Sequence, residues 1–100
     1  MSRYARRIDV NQPDITAALR RAGCSVQVLS MVGHGCPDLL VGVDHNNVLI
    51  EIKDGTRCPS EQRLTPLEQT WHDEWRGTVF TVNSVEQALH LIGDIRRGLI

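Results

Sequence analysis

The sequence predicts an α/β fold in which a mixed sheet is flanked by helices, and three observations support this prediction. Helical and strand-like segments follow one another in the order α-β-β-β-α-β-α. The strand-like segments are short runs rich in β-branched residues, and the helical segments begin at recognisable capping residues. The length of 100 residues fits one domain, which is expected to span residues 1–100 with residues 1–10 as an N-terminal arm.

The first half of the chain predicts one helix followed by three strands. Pro13 is suited to a first helical turn because its missing N–H would have no partner there, and Gly23 supplies the stop. Residues 25–32 are rich in β-branched side chains and predict a strand. The apolar runs at 39–43 and 48–53 are separated by the turn-forming residues 44–47, which predicts a β-hairpin.

The second half begins with a polar loop and continues as helix, strand and helix. Thr65 is expected to cap a helix, with Pro66 in its first turn and Glu68 completing a capping box. This helix should end near residue 75 or 76, before a strand at 78–82. Ser84 repeats the cap for a last helix through residue 95. The connection from the hairpin through the middle helix is long enough for a parallel strand pairing.

Composition limits the classes of function. Ten arginines and the single lysine, Lys53, are balanced by seven aspartates and five glutamates, and the formal net charge is -1. A nucleic-acid role must therefore depend on local placement of charge. Three cysteines without C-x-x-C spacing do not indicate a disulfide framework or a zinc site. No apolar run has the length of a membrane span, and the first residues lack the pattern of a signal peptide, so a cytoplasmic location is expected.

One group of charged residues stands out within the predicted hairpin. Alternation along a strand places Glu51 and Lys53 on the same face. Asp38 begins the partner strand and should lie beside them. Two carboxylates and a backbone carbonyl would offer the hard oxygen ligands that Mg²⁺ or Mn²⁺ prefers. A solvated edge or one wet face of the sheet would explain the same charges without any chemistry.

These residues resemble a known signature. Pro37-Asp38 followed by Glu51-Ile52-Lys53 is similar to the PD-(D/E)xK pattern of the restriction-endonuclease-like fold. More narrowly, residues from about 9 to 91 resemble a stand-alone virus-type replication-repair nuclease (VRR-NUC) domain. The segments that carry the resemblance are Asn11-Gln12-Pro13-Asp14, Gly35-Cys36-Pro37-Asp38-Leu39, Leu49-Ile50-Glu51-Ile52-Lys53-Asp54-Gly55, and Leu64-Thr65-Pro66 with Gln69.

The resemblance implies a set of metal ligands. Asp38 and Glu51 would bind Mg²⁺ or Mn²⁺, and the backbone carbonyl of Ile52 would complete the protein ligands. An acid on the first helix commonly adds to such a site, and Asp14 occupies that place. Because aspartate is shorter than the glutamate frequent there, its contact with the metal is expected to run through water.

The resemblance also implies roles for residues around the metal. Lys53 would orient or help activate the attacking water, and Gln69 matches a family glutamine that lies beside this lysine. His34, in the bend before Asp38, is a candidate for phosphate contact. Arg57 and Arg63 flank the loop after Lys53 and are candidates for binding DNA phosphates. Trp71 and Trp75, four residues apart, are expected to pack in the core rather than stack on bases.

The activity implied is that of a metal-dependent, structure-selective DNA endonuclease acting on branched DNA. Stand-alone members of the family resemble Holliday-junction resolvases, which implies a homodimer on four-way junctions, in recombination of phage or prophage DNA. Two alternatives stay open from the sequence: a non-catalytic DNA-binding or assembly subunit with the same fold, and a nuclease of flaps or plain duplex. A sequence-specific enzyme would require further segments for contacting base edges.

Overall fold

The secondary structure follows the predicted order. The computed structural model describes residues 9–100, and the α/β class with a four-stranded mixed sheet flanked by helices is confirmed. The elements are α1 (Gln12–Arg21), β1 (Ser25–Val28), β2 (Leu39–Val43), β3 (Asn46–Ile52), a short 3₁₀ helix (Pro59–Gln62), α2 (Pro66–Glu74), β4 (Val79–Val82) and α3 (Val85–Arg96).

The sheet has the strand order β1-β2-β3-β4. β1 pairs antiparallel with β2, and β2 pairs antiparallel with β3 in a register that sets Leu39 opposite Ile50. β4 returns parallel to β3, with Ile52 opposite Val82, because the chain crosses over through α2 between them. β3 is therefore an internal strand, and both of its neighbours contribute backbone near its carboxyl end.

Alternation along the strands gives the sheet two different faces. Leu39 and Val41 on β2, with Ile50 and Ile52 on β3, are at 0% exposure and face the main core. The core is completed by apolar side chains from the two helices on that side: Ile15, Leu19, Ala88, Leu91, Ile92 and Ile95. The opposite face carries Leu49 and then Glu51, so the one charged residue of β3 lies on the face turned away from the main core.

The hairpin turn is shorter than the sequence indicated. Asp44 and His45 both have positive φ, at 48° and 66°, which is the backbone conformation of a two-residue type I′ turn. Asn46 and Asn47, which the sequence assigned to the turn, pair with Val43 and Gly42 instead. The assignment of four turn residues was wrong because asparagine is common in turns but can equally extend a twisted hairpin.

The strand predicted at 25–32 ends early. Only Ser25–Val28 pairs in the sheet, and the chain then leaves it for a loop in which Gly33, His34 and Gly35 all have positive φ. At Gly35 a Cβ atom would lie 2.5 Å from the carbonyl oxygen of Leu67. Only glycine permits this contact, which seats the loop directly on the first turn of α2.

The two tryptophans do not join the core as expected. Trp71 and Trp75 stack on each other, with ring centroids 4.6 Å apart, at the C-terminal end of α2. Trp75 is 47% exposed and lies outside the core cluster. The physical reason is that α1 and α3 both cover the other face of the sheet, so this end of α2 has no further layer packed over it.

The predicted N-terminal arm, including Arg3, Arg6 and Arg7, lies outside the described residues apart from its last two positions. Within residues 9–100, none of the helices has both the length and the apolar character that crossing a bilayer requires.

Replacing Gly35 tests whether the close approach to α2 stabilises the fold. Gly35→Ala should lower the free energy of unfolding by about 2 to 4 kcal/mol, because the change combines a left-handed backbone with an overlap against backbone atoms. Gly98→Ala is the matched control, since Gly98 also has positive φ but open space around it. It should cost about 1 kcal/mol. Chemical denaturation measures both, and equal losses would contradict a cost of close approach.

Candidate active site

Asp38 joins the start of β2 to the end of β3. It immediately precedes Leu39, so extending the register by one residue sets it opposite Glu51. Its Oδ2 accepts the backbone N–H of Ile52 at 2.7 Å. Because β2 begins only at Leu39, this amide lacks a strand partner, and the carboxylate takes that place. Asp38 is 1% exposed.

Glu51 is equally buried, at 1% exposure. Burying a carboxylate is costly unless other groups compensate its charge. A solvated edge or wet face, the chemistry-free explanation of these charges, would have left Glu51 in water. The structure therefore excludes that explanation.

The backbone of β3 also directs the carbonyl of Ile52 towards Asp38. The N–H of Lys53 donates to the Val82 carbonyl at 2.9 Å, on the β4 side. Successive residues of a strand direct their backbone groups to opposite sides, and the N–H and C=O of one residue point the same way. The Ile52 carbonyl thus points to the β2 side, beyond the start of β2, where its own amide meets Asp38.

Lys53 is held by both its backbone and its side chain. Its carbonyl accepts the side-chain amide of Asn11 at 3.1 Å, and the same amide donates to the Asn83 carbonyl, so α1 is tied to the ends of β3 and β4. Its Nζ lies 2.7 Å from Oε1 of Glu68 and 4.0 Å from Oε2 of Glu51. The single lysine of the chain thus stands between two carboxylates, and its side chain is only 11% exposed.

Glu68 is the neighbour of Lys53 that the sequence did not identify. The sequence assigned it to the capping box of α2, and the structure confirms that box: Thr65 Oγ1 accepts the Glu68 amide, and Glu68 Oε1 accepts the Thr65 amide at 2.8 Å. The same Oε1 receives Lys53 Nζ. The capping pattern predicted the helix start but carried no signal that this start would face Lys53.

Gln69 does not occupy the place beside the lysine. It is exposed on α2, and its amide donates to Asp73 Oδ1 at 2.9 Å. The cap at Thr65 sets the phase of the helix so that Glu68 is turned inwards, and the next residue lies about 100° further round the helix axis. The expectation that Gln69 contacts Lys53 is corrected in favour of Glu68.

The acid that the fold brings near the cluster from the N-terminal side is Asp9. Burial raises the pKa of the Asp9 carboxyl above its usual value of 3.8, and the charge of Asp38 raises it further, while Lys53 lowers it. Asp14 is exposed on α1, about 200° around the helix from the buried Gln12. The sequence missed Asp9 because it precedes the helix, and only the docking of Asn11 fixes its position.

The residues predicted to contact DNA are all exposed. Arg57 is half-exposed and pairs with Glu61 at 3.2 Å and with Asp54 at 3.7 Å. Arg63 lies at the end of the 3₁₀ segment. His34 is exposed and lines an apolar groove of about 530 Å³ together with Trp71 and Trp75.

The donor atoms fit a hard divalent cation that keeps much of its water. No set of three or more His, Cys, Asp or Glu side chains within residues 9–100 is arranged to hold a metal ion. Asp38 and Glu51 nevertheless place two buried carboxylates at adjacent positions across the end of the β2–β3 pair, and the Ile52 carbonyl is directed to the same side. Mg²⁺ is commonly bound by one or two carboxylates with several waters, so this set suits Mg²⁺ or Mn²⁺.

The raised pKa of Asp9 predicts a pH dependence of stability in chelator. Folded Asp9 keeps its proton to a higher pH than unfolded Asp9, so its contribution to stability falls as pH rises above 3.8. Asp9→Asn removes this loss. The gain in unfolding free energy of the variant over the wild type should therefore grow between about pH 3 and about pH 7, measured by urea denaturation. A difference that stays constant across this range would contradict the assignment.

Comparison with known proteins gives one informative match. No family model matches the sequence, and no curated protein matches it. A solved structure described as a VRR_NUC domain superposes with a TM-score of 0.62 and 26% sequence identity, over 85% of this chain and 97% of the matched one. This similarity agrees with the four-stranded mixed sheet flanked by helices. The described residues therefore have the restriction-endonuclease-like fold of a VRR-NUC domain.

Proposed function

We propose that this chain is a metal-dependent, structure-selective endonuclease that hydrolyses phosphodiesters in branched DNA. The VRR-NUC fold suggests a nuclease of the PD-(D/E)xK type. The single observation that carries the proposal is the burial of Asp38 and Glu51, each at 1% exposure, beside the one lysine of the chain. A non-catalytic subunit that kept only the fold would have no need to hold two carboxylates out of water, because buried charges are costly.

The residues of the candidate site have different roles in the proposed reaction. Asp38, Glu51 and the Ile52 carbonyl would hold Mg²⁺ or Mn²⁺, which when bound supplies an acidified water and positive charge at the phosphate. Lys53, fixed through its backbone and its side chain, orients the attacking water and stabilises the charge that builds on the phosphate oxygens. A water oxygen forms the new bond to phosphorus and gives up a proton to solvent, the bond to the 3′ oxygen breaks, and that oxygen takes up a proton from solvent.

A homodimer on four-way junctions is the finer part of the proposal. The described chain measures 38 × 28 × 26 Å and contains one candidate site. Paired cuts in the two-fold related strands of a junction require two sites, which a two-fold dimer of this chain would supply. The resemblance to junction resolvases supports this substrate, and recombination of phage or prophage DNA is the proposed setting.

A cleavage assay on three substrates tests the proposed activity. Wild type is expected to cut a four-way junction in symmetric pairs under Mg²⁺ or Mn²⁺, and to cut flaps and plain duplex more slowly. Chelator should abolish all cleavage, because Asp38 and Glu51 repel the phosphate backbone without a cation. Lys53→Ala should reduce cleavage by about a hundredfold or more, while its affinity for the junction changes by only a few-fold.

Each alternative predicts a different result in this assay. Cleavage that persists in chelator would contradict the metal, and retained cleavage by Lys53→Ala would contradict the role of the lysine. Binding without cleavage by wild type would indicate the non-catalytic subunit. A monomer in light scattering that cuts only flaps would contradict the junction and the dimer.

The loop arginines give a separate prediction about binding. If Arg57 and Arg63 bind phosphates, replacing both with glutamine should reduce the slope of log affinity against log salt by about 0.9 for each phosphate that is no longer neutralised. The matched control replaces Arg76 and Arg97 with glutamine, which removes the same charge near the opposite end of β4 and α3. Fluorescence anisotropy at several salt concentrations measures both variants. Equal slopes for the two double variants would contradict a role of the loop in binding phosphate.

A further inference from the structure

We propose that Glu68 is a positioning residue that holds the ammonium of Lys53 away from Glu51, where the ammonium would otherwise compete with the divalent cation. This inference rests on the proposed function and adds a residue to it that the signature does not contain. Glu68 lies 15 residues beyond Lys53 in the sequence, on the far side of the polar loop.

The distances define the role. Lys53 Nζ lies 2.7 Å from Glu68 Oε1, a hydrogen-bonded ion pair, but 4.0 Å from Glu51 Oε2, beyond hydrogen-bond distance. The Lys53 and Glu68 side chains are about one-tenth exposed, so water screens their attraction only weakly. Lys53 has two acidic neighbours, and the carboxylate of Glu68 is the one that takes the hydrogen bond from its ammonium.

The same oxygen of Glu68 also receives the backbone N–H of Thr65. The helix cap therefore fixes the Glu68 carboxylate independently of Lys53, and the carboxylate is a rigid partner for the ammonium. Gly35 contributes to this placement, because the loop that contains it lies directly on the Leu67 carbonyl. The position of the ammonium is thus set by the start of α2 as well as by β3.

Capping of α2 alone does not require a carboxylate. At the start of α3, Gln87 fulfils the equivalent role: Ser84 Oγ accepts its backbone N–H, and its side-chain oxygen accepts the N–H of Asn83. A glutamine at position 68 could therefore keep the cap. Capping does not explain the negative charge of Glu68, whereas the ion pair with Lys53 requires it.

Without that charge, Glu51 is the carboxylate towards which Lys53 would move. An ammonium that moves onto Glu51 competes directly with a cation for the same oxygens. Glu68→Gln should therefore weaken binding of Mn²⁺ in the absence of DNA on the order of tenfold, measured by isothermal titration calorimetry. The variant should remain folded at the temperature of the titration, because the glutamine retains the cap even though the ion pair with Lys53 is lost, and thermal denaturation checks this.

A double-mutant cycle separates this mechanism from a general loss of negative charge. In a Lys53→Met background there is no ammonium to move, so adding Glu68→Gln should change Mn²⁺ affinity by less than about twofold. An equal loss of affinity in both backgrounds would mean that Glu68 acts only through space, and would overturn the inference. Unchanged affinity of Glu68→Gln in the wild-type background would also overturn it.

Thr65→Ala is the complementary variant, since it removes the cap hydroxyl and leaves the carboxylate. It should lower the melting temperature and retain Mn²⁺ affinity within about threefold below its melting point. Loss of affinity equal to that of Glu68→Gln would show that the cap, not the charge, is what matters. A wild type that binds Mn²⁺ but cuts no DNA would defeat the proposed activity while the cycle still decides the role of Glu68. A wild type that binds no Mn²⁺ would overturn both.

Discussion

The rest of the structure depends on the hydrogen bond between Asp38 and the Ile52 amide. That bond closes the end of the β2–β3 pair with a carboxylate instead of a further backbone partner. It brings a buried acid to the carboxyl end of an internal strand, directly opposite Glu51 in the register. Two carboxylates held out of water destabilise the fold unless cations compensate them. The ammonium of the single lysine lies 4.0 Å from Glu51 Oε2 and is hydrogen-bonded to Glu68 Oε1.

The helices are arranged so that this end of β3 is supported from several sides. The side-chain amide of Asn11, at the start of α1, donates to the carbonyl groups of Lys53 and Asn83. Asp9, two residues before Asn11, lies near the acids. The second helix starts against the loop at Gly35 and turns Glu68 towards Lys53. Neither contact lies in the hydrophobic core, which is formed on the other face of the sheet. The hydrophobic core and the candidate site thus lie on opposite faces of the sheet.

Most of the fold could be predicted because its signals are local. Capping residues at Thr65 and Ser84, glycine stops and short β-branched runs each act within a few residues, and the elements they predict occur in the predicted order. The errors concern boundaries and the environment of α2. The hairpin turn is two residues shorter than expected, and the tryptophans pack on each other. A local sequence pattern alone predicts neither outcome.

The sequence by itself determined the strand that carries Glu51 and ends next to Lys53, and the partner strand that begins next to Asp38, because alternation and a hairpin are short-range properties. Only the tertiary structure decided that Glu68 hydrogen-bonds to the lysine while Gln69 bonds to Asp73, that Asp9 lies near Asp38, and that Asp38 and Glu51 are buried. Each of these depends on contacts between residues that are far apart along the chain. The phase of a helix against a sheet is set by such contacts, and a difference of one residue turns a side chain about 100° from the site.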